Sequence, residues 1–489
     1  MNLPKALPNA AISVASSLLL TGCFASSAPS AAEGKRIRVA MTQPPRSGLS
    51  PLSDDAFKPS RWSTAETLAT LDKDGDAQPA LATKWRQSGE KTWTFTLRQG
   101  VEFHDGTALT AQAVAWSLNT AAKAAPKPRI LDGVAMTVKA SGGSAGTVTT
   151  ADADPLVPQR LSSPQLSILA AKAYRGKTVN PVSAGTGAFV LKRVNGTTSA
   201  TLDQNPDYWG GKAKAAGIDV TFVPDGAARA AALRSGEADI VEAVPVSQAA
   251  LLDQDQISEV PMPRTNTLYL NTERGPFRDP ALRAAARRAM DAKALVKGVY
   301  EGRADVARGL LGPALPWAAE GREGRTKTVK ADNPDGRSLT IGTFTDRAEL
   351  PEVAAVLQQQ LKDAGFRVKL EVREYANIES DALAGRFDAF VLSRATVLDS
   401  GDPAAYLHSD FAEDGSFNIA QLRDETVDKA VRKAEATASG DARRAAILNT
   451  DAAIPMLHER VIQGDAVDVV GSAKDPRERE LVTVDTYVK

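Results

Sequence analysis

The segment from residue 339 to residue 372 has the pattern of a strand, a helix and a second strand in direct succession. Residues 339–344 are rich in apolar and β-branched side chains, and apolar residues then recur at helical spacing from 353 to 364. Gly365 ends the predicted helix, and apolar residues alternate from 366 to 372. A helix that connects two strands of one sheet makes those strands parallel, so the segment predicts an α/β fold.

The same patterns recur along the rest of the chain. Strand patterns lie at 36–41, 93–97 and 218–223, and helix patterns follow Thr110 and cover 280–290. At 489 residues the chain is longer than one hydrophobic core usually serves. We therefore expect at least two α/β lobes.

Composition argues against several classes of function. Lys+Arg and Asp+Glu both number 59, so the formal net charge is zero and nucleic acid is not an expected partner. The chain has three histidines, well separated in sequence, and one cysteine, Cys23. Neither a Cys/His metal site nor a disulfide framework is expected from this set. The sequence also lacks a P-loop and an H-E-x-x-H motif, so we expect no enzyme, no cofactor and no bound metal.

The N-terminal residues have the pattern of a bacterial lipoprotein signal. The apolar stretch at 11–20 is too short to span a bilayer and leads into Leu-Thr-Gly-Cys at 20–23, which resembles a lipobox. We expect residues 1–22 to be a signal peptide, lipidated Cys23 to anchor the protein outside the cytoplasm, and residues 23–35 to be a flexible tether. The alternative is an ordinary secretory signal with an incidental cysteine.

Several blocks of sequence together resemble the dipeptide-, oligopeptide- and nickel-binding family of solute-binding proteins, family 5. The blocks, which follow in the family's order, are RQGVEFHDGTALTA at 98–111, GTGAF at 185–189, NPDYWGG at 205–211, LRSGEAD at 233–239 and PFRD at 276–279. The family more often has proline where this sequence has Ala188. The resemblance covers the chain from about residue 36 to residue 489.

This resemblance implies a two-lobed, periplasmic-binding-protein-like α/β clamshell (type II) with an extra subdomain. Lobe I would comprise residues 36–265, with the subdomain at about 46–181, and lobe II residues 266–464. Residues 465–489 would return to lobe I, and strands crossing near 265 and 465 would form the hinge. Members of the family capture a solute between the lobes and deliver it to an ABC permease, and we expect this chain to do so as a monomer.

The resemblance also implies two charged positions that bind a short peptide. In the peptide-binding members, the acid that binds the α-ammonium lies four residues before the proline of a D/E-P-x-x-aromatic segment. Here that segment is DPAAY at 402–406, and the acid is Asp399. In dipeptide binders an arginine after the first strand of the distal lobe binds the α-carboxylate, and Arg347 has that place. Peptide binders commonly have Trp three residues before the acid, where this chain has Thr396, so we expect a wider or more polar pocket there.

Two other ligand hypotheses stay open at this point. The nickel-binding branch of the family uses arginines and a histidine around a chelated metal, and Arg394 fits such an arginine. His408 does not match that branch's histidine position, and Asp399 is an acid that the branch lacks. In this first alternative, the ligand is a metal chelate or another non-peptidic metabolite instead of a peptide. The remaining hypothesis is a receptor or envelope-regulatory lipoprotein that has kept the fold without transport.

Overall fold

The protein is described here by a computed structural model that covers residues 34–175, 178–315, 325–397, 402–435 and 447–489. The predicted signal peptide, Cys23 and Asp399 lie outside the described residues. Within those ranges the chain alternates strands and helices, which confirms the predicted α/β class.

The strands of the described residues are β1 (Arg36–Met41), β2 (Ala69–Leu71), β3 (Ala77–Pro79), β4 (Ala82–Gly89), β5 (Thr92–Leu97), β6 (Met136–Ser141), β7 (Ala145–Thr150), β8 (Phe189–Asn195), β9 (Ser199–Gln204), β10 (Gly217–Phe222), β11 (Ile240–Val244), β12 (Ile257–Leu270), β13 (Ala304–Val306), β14 (Ser338–Phe344), β15 (Arg367–Arg373), β16 (Ala389–Ala395), β17 (Ala453–Asp465), β18 (Val469–Val470) and β19 (Tyr487–Val488). The α-helices are α1 (Phe57–Arg61), α2 (Ala111–Ala122), α3 (Val157–Arg160), α4 (Gly226–Arg234), α5 (Val246–Ala249), α6 (Pro280–Ala289), α7 (Ala292–Gly298), α8 (Glu349–Asp363), α9 (Tyr375–Leu383), α10 (Ala404–Phe411) and α11 (Glu425–Glu435).

Eleven strands of the described ranges form one large sheet. Its order is β15-β14-β16-β12-β17-β11-β1-β10-β9-β8, with β13 paired to β17. On one side β1 is parallel to β10 and β11, and on the other side β14 is parallel to β15 and β16. We call β1 and β8–β11 the N-terminal half-sheet, and β14–β16 the C-terminal half-sheet.

The predicted strand–helix–strand unit is present as β14, α8 and β15. Ile341 of β14 lies opposite Leu370 of β15 in parallel register. Helix α8 buries Leu350, Val353, Ala354, Leu357 and Leu361. Full burial of a Leu or Val side chain contributes roughly 1.5–3 kcal/mol, so this apolar face holds the helix on the sheet. Gly365 follows at φ +100°, a backbone conformation that favours glycine.

Two long antiparallel strands, β12 and β17, join the half-sheets. Their pairing runs from Ile257 opposite Gly464 to Tyr269 opposite Ala453. At one side β17 pairs with β11, and at the other side β12 pairs with β16. The chain therefore crosses twice between the half-sheets through paired strands, and residues 265 and 465 both lie on these strands. The lobe boundaries placed there, and at 46–181 for the subdomain, stay predictions.

A smaller sheet, in the order β4-β5-β7-β6, packs with α2 around an apolar core of its own. Thr110 caps α2 as its sequence position predicts, because its hydroxyl accepts a hydrogen bond of 3.1 Å from the Ala113 amide. The apolar core of this layer includes Ala405, so the layer also contacts helix α10. In the described ranges we find no helix that is both long enough and apolar enough to traverse a lipid bilayer.

Candidate ligand-binding cleft

A cleft lies where the two half-sheets meet. Met41 at the end of β1, Phe344 at the end of β14 and residues 392–395 of β16 contribute to its wall. The carboxyl ends of parallel strands in α/β sheets leave a crevice of this kind, because the loops diverge after the strands end. The cleft holds about 1030 Å³ of empty space, part of which is open to solvent.

Charged side chains dominate this wall. Of the described residues, seven cationic ones line it: Arg46, Lys58, Arg61, Arg129, Arg264, Arg347 and Arg394. Three acids line it as well: Asp54, Glu242 and Glu478. Four further acids do not line this compartment but pair with its lining cations: Asp55, Glu379, Asp410 and Glu459. Seven cations thus face seven acids, so this part of the cleft is rich in charge but close to neutral.

Arg347 lies where the family resemblance predicts it, between the end of β14 and the start of α8, and its side chain lines the cleft. Its Nη1 donates a long hydrogen bond of 3.5 Å to Glu459 Oε2, and its Nη2 lies 3.8 Å from Glu478 Oε1. Both contacts are longer than the 2.7–2.9 Å of a tight charge-assisted bond. Arg347 is therefore held near the cleft by two carboxylates without a close bond to either.

Glu459 on β17 orients this arginine. Its side chain is 6% exposed, and its Oε2 accepts a 2.7 Å hydrogen bond from the Ser393 hydroxyl. Its Oε1 accepts hydrogen bonds of 3.1 Å from Asn266 Nδ2 and from the Tyr300 hydroxyl. These donors keep the carboxylate fixed, so Arg347 meets a rigid anion on the crossing strands.

A cluster of three arginines surrounds the carboxylate of Glu478. Arg264 on β12 donates to Glu478 Oε2 from Nε at 2.8 Å and also from Nη2. Arg61 places Nη2 3.2 Å from Glu478 Oε1, and its Nε donates to the Glu478 carbonyl at 2.6 Å. With Arg347, this cluster draws on the N-terminal half, the crossing strands and the C-terminal half-sheet. We call Arg61, Arg264 and Arg347 the arginine triad.

Burial and the arginine triad act on the Glu478 carboxyl in opposite directions. Burial raises its pKa, but attraction to Arg264, Arg61 and Arg347 outweighs burial and lowers the pKa to about 2. The carboxylate is therefore charged at neutral pH. The backbone of Glu478 has φ +55°, a left-handed conformation that is uncommon for Glu, so the surrounding contacts hold this residue in place.

Arg394 lines the same cleft on the other side, but a buried acid binds its guanidinium. Nε and Nη2 donate to the two carboxylate oxygens of Asp410 at 2.6 and 2.8 Å. Asp410 is fully buried, and burial raises its pKa more than Arg394 lowers it. The guanidinium also lies 4.6 Å from the centroid of the Phe417 ring. This arginine forms a fixed part of the wall.

Thr396 and Asp399 complete the predicted set. Thr396 is fully buried and does not line the cleft, since its hydroxyl and its amide both donate to the Pro263 carbonyl, at 2.9 and 2.8 Å. Asp399 lies outside the described residues. The structure therefore brings Arg347 and Arg394 to one cleft and places Thr396 behind its wall.

Sequence reasoning missed Arg61, Arg264, Glu459 and Glu478. Arg264 directly precedes the predicted crossing at 265, and a cation on such a strand was a usable signal. Glu478 lies in an alternating Arg-Glu-Arg-Glu run at 477–480, a pattern that favours an exposed segment. Nothing in that local pattern indicates three arginine partners.

A second compartment with a larger empty volume adjoins the first. It holds about 1660 Å³ of empty space and shares Gln43, Arg46 and Tyr375 with the first compartment. Arg46 lies between the two compartments, where it forms a 2.7 Å ion pair with Glu379 and its guanidinium lies 5.0 Å from the Tyr375 ring centroid. In the part of the chain that the structure describes, no three His, Cys, Asp or Glu side chains are grouped to hold a metal ion.

Comparison with known proteins gives this cleft a context. A family model for bacterial extracellular solute-binding proteins, family 5 (middle region), matches residues 76–418. The probable D,D-dipeptide-binding periplasmic protein DdpA of Escherichia coli K12 is 28% identical over 403 residues, 77% of this chain and 76% of that protein.

Two solved structures have the same fold. The nickel-binding protein NikA of Staphylococcus aureus, in complex with Ni(L-His)2, is 22% identical with a TM-score of 0.81, and the match covers 93% of this chain and 100% of that one. The ABC transporter-associated binding protein DppA of Helicobacter pylori, in complex with the peptide STSA, is 21% identical with a TM-score of 0.80, and the match covers 93% and 98%. These matches confirm the predicted two-lobed α/β fold. The chain belongs to the bacterial extracellular solute-binding proteins of family 5, the solute-capturing components of ABC importers.

Proposed function

We propose that this protein, as a monomer, captures a short peptide or a peptide-like zwitterion in the cleft and delivers it to an ABC permease without chemical change. The charge arrangement carries the proposal, because the seven cations that line the cleft are balanced by seven acids, three that line it and four that pair with the lining cations. A zwitterion presents one charge of each sign and leaves this balance intact. The complementary charges also fix the orientation of such a ligand.

Arg347 and Asp399 are the proposed anchors of the two peptide termini. A guanidinium suits the α-carboxylate because it donates two parallel hydrogen bonds. Each charge-assisted bond contributes roughly 1.5–3 kcal/mol, and micromolar affinity requires about 8 kcal/mol. Two anchored termini with backbone hydrogen bonds reach that range.

Titration calorimetry with matched peptides tests these anchors. The three probes are a dipeptide, its C-terminal amide and its N-acetyl form. We expect Arg347→Ala to weaken binding of the dipeptide at least tenfold, about 1.4 kcal/mol, and binding of the amide much less. Asp399→Ala should weaken binding of the dipeptide by a similar factor and binding of the N-acetyl form much less. Arg423→Ala, at an exposed cation, is the control. Equal affinities in wild type and a variant would remove that residue from the site.

The ligands named for related proteins support a peptide as the ligand of this protein. DdpA is named for D,D-dipeptides, and the Helicobacter pylori structure contains the peptide STSA. The arginines that line the cleft here match the carboxylate that every unmodified peptide carries.

A metal chelate is the second candidate, because the arginine-rich wall also suits the carboxylates of a chelator. The Staphylococcus aureus NikA structure contains Ni(L-His)2. In this proposal the arginines bind the chelator, and the metal arrives with its own ligands. Calorimetry with Ni(II) and histidine together, compared with histidine alone, separates the two candidates. A nickel-dependent gain in affinity favours the chelate, and equal heats remove it.

We further propose that Cys23 is lipidated and holds the protein on the outer face of the cell membrane. Cys23→Ala should release the mature protein from the membrane fraction and abolish labelling by a radioactive fatty acid. Equal release of wild type and variant, with no fatty-acid label on the wild type, would instead favour an ordinary secretory signal with an incidental cysteine.

A further inference from the structure

The arginine triad is a site for one carboxylate, and a residue of the chain itself occupies it. Glu478 Oε1 and Oε2 take contacts from all three arginines, and its side chain is 11% exposed. Two of these contacts are close, those from Arg264 and Arg61, whereas the contact from Arg347 is 3.8 Å long. Glu478 therefore fills the inner part of the site, and Arg347 faces both Glu478 and the open cleft.

The charges around this site leave no place for a second unpaired anion. Three cations, Arg61, Arg264 and Arg347, face three acids: Glu478, Glu242, which pairs with Arg61, and Glu459, which pairs with Arg347. A ligand carboxylate that enters here adds one negative charge to a balanced group in a partly buried place. Such a charge is costly unless a resident carboxylate gives up part of its contacts.

Two features indicate that Glu478 is the carboxylate that gives up part of its contacts when a ligand carboxylate enters. Its backbone has φ +55°, so its position depends on the contacts around it. It also lies in the C-terminal segment, outside the regular strands and helices, whereas Glu459 is fixed on β17 by three donors.

We propose that Glu478 is a specificity-determining residue: it occupies the arginine triad as a resident carboxylate, and a ligand carboxylate binds by sharing or replacing it there. This inference rests on the proposed function, since it names the place in the same cleft where the anionic end of the solute binds. Glu478 thereby sets the net charge that the cleft accepts. With Glu478 present the site discriminates against ligands that bring more than one uncompensated negative charge.

Chemical rescue with acetate tests the site without any peptide. Glu478→Ala removes the carboxylate but keeps a residue with the same left-handed strain, and acetate is the missing group as a free ion. We expect the variant to melt several degrees below wild type in a chloride buffer. About 100 mM sodium acetate, at matched ionic strength, should restore at least half of that loss because acetate binds the folded state. If the variant folds only when acetate is present, this result also supports the carboxylate site.

The control for this experiment is Glu413→Ala, which removes an acid of an exposed pair with Arg423. Acetate and chloride should stabilise that variant equally. Equal stabilisation of Glu478→Ala by the two salts would overturn the carboxylate site. So would a melting temperature of Glu478→Ala equal to that of wild type.

A second variant, Glu478→Gln, keeps the volume of the side chain and removes its charge. The ratio of affinities for a dipeptide over its C-terminal amide should rise about tenfold, because the triad then lacks one negative charge. An unchanged ratio would contradict the proposed specificity role. Acetate rescue without binding of any peptide would support the carboxylate site and contradict the peptide proposal. Peptide binding without acetate rescue would support the peptide proposal and contradict the carboxylate site.

Discussion

At the scale of single residues, the cleft depends on acids that fix its arginines. Glu478 holds Arg61 and Arg264 closely, Glu459 faces Arg347, and Asp410 binds Arg394. A guanidinium that already meets a carboxylate loses less conformational freedom when a ligand binds, since its position is set beforehand. The acids that fix these arginines therefore matter as much for recognition as the arginines themselves.

The pKa of Glu478 makes one prediction about pH. Burial raises the pKa, but the arginine triad lowers it from 4.5 to about 2, so the carboxylate stabilises the folded state fully above pH 4.5. This stabilisation, roughly 3 kcal/mol, is lost as pH falls from 4.5 towards 2. In urea unfolding at each pH, Glu478→Gln should be less stable than wild type at pH 7 and should lose less stability across this window. Parallel pH profiles for the two proteins would contradict the assignment.

The buried pair of Arg394 and Asp410 makes a second prediction at this scale. Asp410→Ala leaves a buried guanidinium without its bidentate partner, which costs about 3–5 kcal/mol. The exposed pair of Arg423 and Glu413 offers the contrast, because Glu413→Ala should cost less than 1 kcal/mol. Urea unfolding of both variants checks the difference. A cost for Asp410→Ala as small as that for Glu413→Ala would show that the pair is not important for stability.

At the scale of elements, the sequence predicts regular structure well and long-range contacts poorly. The strand at 339–344 and the helix that follows it are present, but α8 begins at Glu349 rather than near residue 353. Leu350 in this additional turn lies on the same buried face as Val353 and Leu357, and Glu349 also accepts a 2.9 Å hydrogen bond from the Val246 amide of α5. Local periodicity contains no information on such a partner.

The same limit applies to the site. The family resemblance predicts Arg347, because it assigns a role to the arginine after a recognisable strand, whereas Arg264 and Glu478 are 214 positions apart in the chain and meet only in the folded protein. Arg61 and Glu478 are separated by 417 positions. A run of alternating charges at 477–480 resembles an exposed segment until its partners are known.

The cap of α2 makes a prediction at this scale. Thr110→Ala removes the hydroxyl that accepts from the Ala113 amide, and we expect a loss of about 1 kcal/mol in the free energy of unfolding. Thr110→Ser keeps the hydroxyl and should stay within a few tenths of a kcal/mol of wild type. Thermal or urea unfolding of the two variants checks this. Equal losses in both would show that the methyl group, not the cap, contributes the stability.

At the scale of the whole molecule, three contacts join the two sides of the cleft. Arg46 pairs with Glu379, Arg347 faces Glu478, and the hydroxyl of Ser416 contacts the Asp132 carboxylate. Each of these pairs joins the N-terminal part of the chain or its C-terminal segment to the region that contains β14–β16 and α9–α11. We predict that a ligand that binds both walls favours this arrangement over one with the walls apart, because it adds contacts that only this arrangement allows.

Native mass spectrometry of the protein purified from its own host tests the central claim, capture of a small solute in the cleft, most directly. We expect a bound species of a few hundred daltons that carries a free carboxylate, and we expect it to be absent from Arg347→Ala purified in the same way. The mass and fragmentation of that species distinguish a peptide from a metal chelate. A wild-type protein that carries no solute, and binds none when offered peptide and nickel–histidine mixtures, would contradict the account and favour a receptor or regulatory lipoprotein.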